Sequence, residues 1–136
     1  MLTDLIPFRG RGTSAMADPF SNLRHAMDRM IETTDPGLTL EIMAEASRNP
    51  VVAKILRTKE AAVRQSFEDL LAAGQRQGTI SGDFDVGPLC SLLCAVFDGL
   101  TLRRAVAPDE DPNAVTALHQ ELLRRLLSPI ACFRPA

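Results

Sequence analysis

Five helix-shaped segments, broken by Asp-Pro or Asn-Pro pairs and glycines, run from about Asp18 to Ser128. The fourth, Leu89 to Val106, constrains the fold most. A surface helix shows one apolar stripe, whereas a helix apolar on every side must be covered on every side. Its first two and a half turns, LCSLLCAVF, are apolar nearly all the way round. A chain of 136 residues has little protein of its own to cover such a helix twice. A second copy of the chain is the simplest supplier of the missing cover, so an all-α symmetric homodimer is expected.

The starts of the helices are written in short signals. Asp18-Pro19 reads as an N-cap followed by proline at the first helical position, where its missing N–H costs nothing. Phe20, Leu23, Met27, Met30 and Ile31 follow at steps of three and four. Thr34 or Asp35 caps a second helix whose apolar set is Leu38, Leu40, Ile42, Met43 and Ala46. Asn49-Pro50 opens a long third helix. Its expected inward stripe is Val52, Ile55, Leu56, Val63, Phe67, Leu70, Leu71 and Gly74, and Gly78 ends it. Asp83 or Asp85 starts the fourth helix, which Pro108 stops. Asp111-Pro112 caps the fifth, with Val115, Leu118, Leu122, Leu123, Leu126 and Leu127. No stretch alternates long enough to predict a strand. Residues 1–17 break any period and read as a flexible lead-in or linker, 18–128 as one helical domain, and 129–136 as a tail.

Composition excludes several function classes. Net charge is -2, the wrong sign for a domain that binds DNA by itself. Trp and Tyr are absent, which removes the usual stacking platform for single-stranded nucleic acid. Three cysteines without framework spacing read as reduced, cytoplasmic thiols. No apolar run reaches the ~18 residues of a membrane span, so no membrane partner is expected. Cys90 and Cys94 share a helix face, but a metal needs three or four ligands, and His25 and His119 are distant in sequence. They read as packing residues, and no metal or cofactor is expected. Asp98 is a single carboxylate in an apolar helix; without a partner group it does not make general acid/base chemistry, and no catalytic residue is assigned.

In order and spacing, LEIMAEASRNP (40–50), the long helix ending AAGQRQGTI (72–80), DFD (83–85) and FDGLTLRR (97–104) with a Leu-rich closing helix resemble the C-terminal domain of TetR-family transcriptional regulators. The BetI-like or AcrR-like variety is the nearest. The resemblance covers about Asp18 to Leu127. It implies an antiparallel helical bundle that binds a small effector and dimerises through its last two helices. Family members begin with a helix-turn-helix domain, to which nothing in this chain corresponds. Contact with DNA is therefore expected only through a domain outside it.

These readings place candidate residues. A cavity between the first, third and fourth helices is expected from Leu23, Met27, Met30, Val63, Phe67, Leu93 and Phe97, with Asp98 beside Phe97. Methionines and a flat ring suit an adaptable apolar cavity, and equally suit a core. The expected ligand is a small apolar or amphiphilic effector with a donor or positive group. The dimer interface is expected at Leu89, Leu100, Arg104, Leu118, Leu122, Arg125 and Leu126. The competing reading is a helical dimerisation module without a ligand.

Overall fold

A computed structural model describes residues 19–129. Five α-helices account for nearly all of them: α1 Pro19–Thr33, α2 Pro36–Ala46, α3 Pro50–Gln77, α4 Val86–Val106 and α5 Pro112–Leu127. The expected lead-in, the Asp18 cap and all of the expected tail but Pro129 lie outside the described residues.

Local chemistry sets the helix ends. Asp35 caps α2 by accepting from the Leu38 N–H at 2.9 Å. Asn49 caps α3 through the Val51 N–H at 3.1 Å. Asp111 caps α5 through the Asn113 N–H at 2.9 Å. Each satisfies an N–H that has no partner inside its helix. Of the two aspartates considered for α4, Asp85 holds the cap position, but its side chain makes no capping bond. Gly78 closes α3 with φ of 72°, a left-handed conformation that glycine adopts without a Cβ clash.

α3 is the longest helix and the spine of the bundle. α1 and α2 both pack on it, α4 packs along it, and α2 and α1 also reach α4. The core joins Leu23 and Met27 of α1, Phe67 and Leu71 of α3, Leu89, Cys90 and Leu93 of α4, and Leu123 and Leu127 of α5. Ile80, in the turn after α3, is buried among them. Gln75 holds this turn by donating from Nε2 to the carbonyls of Ser81 at 3.0 Å and Phe84 at 2.7 Å. The Ser81 N–H donates to the Leu127 carbonyl at 2.8 Å, tying the end of α5 to the same turn.

The inward stripe of α3 is shorter than its apolar pattern. Ile55 is 64% exposed, because the first half of α3 is covered only by the short α2. α2 itself buries no residue fully, and Leu38, Ile42 and Met43 stay exposed.

Candidate functional site

The residues expected to line a cavity do come together, as packed core. Leu23, Met27, Phe67 and Leu93 are buried, and Met30, Val63 and Phe97 pack against them. Asp98 does not join the set. It lies exposed on α4, although the apolar side chains around it raise its carboxyl above the usual range by desolvation. The pairing of Phe97 with Asp98 as one apolar and one polar wall is thus corrected: adjacent residues on a helix stand about 100° apart, and only Phe97 turns inward.

Open space lies further along α1. A cleft of about 190 Å³ is bounded by the end of α1, the end of α4 and the start of α5. Ile31, Leu100, Pro112 and Val115 give it apolar walls, and Arg103, Arg104 and Glu110 bring charge. Arg104 Nη1 donates to the carbonyls of Ile31 and Thr34, serving groups that the end of α1 leaves without helical partners. Arg103 and Glu110 form an ion pair in which both side chains are about half exposed. Sequence reading missed Ile31, Glu110 and Thr116 as site residues, because they meet only when three helix ends converge.

Close to this cleft the core contains polar groups. His119 and Thr101 are buried, and among the described residues both ring nitrogens of His119 and the Thr101 hydroxyl lack a hydrogen-bond partner. Burial lowers the pKa of His119, while the nearby Asp28 carboxylate opposes the shift. Gln120 Nε2 donates to Asp28 Oδ1 at 2.9 Å, fixing α5 against α1. Cys90 is fully buried and its Sγ–H donates to the Arg64 carbonyl at 3.6 Å. Burial pushes its thiol up to about 12, which makes it a packing group rather than a nucleophile or metal ligand.

The outer faces of α4 and α5 carry large apolar side chains that no other described residue covers. On α4, Leu92 is 50% exposed and Val106 60% exposed, with Leu102 between them. On α5, Leu118 is 62% exposed and Leu122 58% exposed. Of the residues expected at an interface, Leu118, Leu122 and Arg125 lie on this surface and Leu126 is half-buried at its margin. Arg125 pairs with Glu121 at 2.7 Å. Three belong elsewhere. Leu89 is buried in the core of the protomer, and Arg104 is engaged with α1. Leu100 lines the cleft. Leu92, Leu102 and Val106 were missed, although steps of three and four along α4 from Leu92 would have found them.

The family of BetI-type transcriptional repressor C-terminal domains matches residues 21–128. The chain belongs to that family. Regulators of this kind act as homodimers, bind DNA through an N-terminal domain and are not enzymes. No curated protein and no solved structure matches the chain.

Proposed function

We propose that this BetI-type domain is the sensing and dimerising half of a transcriptional repressor. The observation that carries the proposal is the leucine-rich outer surface of α4 and α5. Large apolar side chains left exposed along both helices mark an interaction site. A two-fold partner presenting the same surface would cover it, with the α4–α5 pair of each protomer forming a four-helix bundle. Although α4 holds no unbroken apolar run of ~18 residues, the whole helix is long and apolar enough to cross a membrane by length and composition. We read it as an interface helix of a cytoplasmic protein, since its inner face packs Leu89, Cys90 and Leu93 into the protomer core.

Sensing would work by population shift. A small molecule that fits one arrangement of α1 against the other helices favours that arrangement by its differential affinity. In a dimer this changes the spacing of two DNA-binding heads on half-sites about one helical turn apart. The filled junction of Leu23, Met27, Phe67 and Leu93 favours a second reading, a dimerisation module that takes no ligand at that junction.

Leu122→Glu tests the dimer. Covering the exposed part of Leu122 is worth about 1–2 kcal/mol per copy, and symmetry counts it twice. Leaving a carboxylate in a dry interface costs several kcal/mol more. Sedimentation should show the native chain as a dimer and the variant as a monomer, with the dissociation constant raised at least ~1000-fold. A variant that still sediments as a tight dimer would place the interface elsewhere.

A further inference from the structure

We infer that the cleft between the end of α1, the end of α4 and the start of α5 is a binding site for a small organic anion, a carboxylate on an apolar body the size of one ring. This rests on the reading of the chain as a sensing domain and names the chemical class of what it senses.

Volume sets the size. A cavity of ~150 Å³ holds benzene, and this cleft is about 190 Å³. One ring and a carboxylate fit, whereas drug-sized ligands occupy ~300 Å³ or more. Ile31, Leu100 and Val115 supply the apolar wall for the ring.

Charge sets the sign. Arg103 and Glu110 neutralise each other across the mouth, which leaves Arg104. This guanidinium is half-buried, and among the described residues no carboxylate pairs with it. Its Nη1 is held by the Ile31 and Thr34 carbonyls, so its plane is already oriented. Its remaining donors match a carboxylate, and a guanidinium binds that group in a fixed fork. The site is therefore preorganised, which lowers the entropic cost of binding. The Arg103–Glu110 pair is exposed, and such pairs are worth little. An incoming carboxylate can compete with Glu110 for Arg103.

The interior beside the cleft is polar as well. His119 stands one turn along α5 from Val115 and Thr116, on the same face, and Thr101 follows Leu100 on α4. Both are more than nine-tenths buried and lack hydrogen-bond partners among the described residues, a condition rare in folded proteins.

The test titrates the full chain with benzoate and with benzyl alcohol, which has the same ring but no charge, by calorimetry and thermal melting. Benzoate should bind at one site per chain and raise the melting temperature in a saturable way, with benzyl alcohol at least ~10-fold weaker. Glu110→Gln removes the competing carboxylate and should tighten benzoate binding about two- to fivefold. Arg104→Gln should abolish it, with circular dichroism checking that the helices persist. Equal binding of the two probes, no saturable binding of benzoate, or a Glu110→Gln variant that binds no better would overturn the proposal. A chain that dimerises yet ignores benzoate would overturn this site while leaving the dimer intact. A monomeric chain that binds benzoate would support the site while overturning the dimer.

Discussion

Replacing Gly74 with Ala should destabilise the domain, against the ordinary expectation for glycine in a helix. Alanine is about 1 kcal/mol better than glycine inside a helix, and Gly74 lies one turn from the end of α3. The surroundings reverse the sign. A Cβ at this position would run into Cδ1 of Ile80 and stand 2.6 Å from its Cγ1 and 3.2 Å from its Cβ. The far end of a flexible side chain could swing away from such a contact. Ile80 is β-branched and stiff at χ1, almost fully buried, and anchored by its own N–H donating to the Gly74 carbonyl at 3.1 Å. The turn, the end of α5 and the core must therefore shift together.

Overpacking of this kind costs about 1–3 kcal/mol. Contacts below 3 Å to two Ile80 carbons put it in the upper part of that range. After subtracting the helix-propensity gain, a net loss of about 1–2 kcal/mol remains, or about 4–8 °C in melting temperature. Urea unfolding followed by circular dichroism measures it. Ile80→Val removes the nearest carbon, so the double variant should lose less than the sum of the single ones, with a coupling of roughly 1 kcal/mol. A Gly74→Ala domain as stable as the native one, or more so, would mean that the close packing of this turn on α3 is not a constraint.

Two further predictions follow from buried groups near the same core. The ordinary imidazole value is 6.5 and burial lowers that of His119 in the folded state, so between the two values the unfolded chain binds more protons. Stability should then fall as pH drops below about 6.5, and His119→Leu should flatten that part of the pH profile in urea titrations; an unchanged slope would assign the pH dependence to other groups. Cys90, with its thiol pushed up to about 12, should resist iodoacetamide in the native protein and react only on unfolding, as mass spectrometry of labelled peptides would read, and rapid native labelling would contradict its burial.

Sequence alone carried the number of helices and their ends. Pro36, Pro50 and Pro112 each follow a capping Asp or Asn, and Gly78 takes the left-handed turn after α3. Those signals act within three or four residues, through a cap bond or a forced φ, and need no knowledge of the rest of the chain. The grouping of Leu23, Met27 and Phe67 was also legible, because helical spacing puts each on its helix's apolar face, whereas Leu93 lies on a helix apolar nearly all round and only packing turns it inward.

Which apolar residues face inward was decided only by the tertiary structure. Ile55 and Leu56 both belong to the expected inward stripe of α3, yet Ile55 is exposed and Leu56 half-buried, since the short α2 covers only part of that surface. Leu89 and Leu92 look alike in sequence, but one is core and the other exposed. Arg104 was expected at the dimer interface, and only the packing of α1 against α4 shows it bound to the end of α1 instead. The cleft joins Ile31, Leu100 and Thr116, far apart in the chain and unmarked by any local pattern. Burial is a property of what stands opposite a side chain, and that is fixed only when distant helices pack.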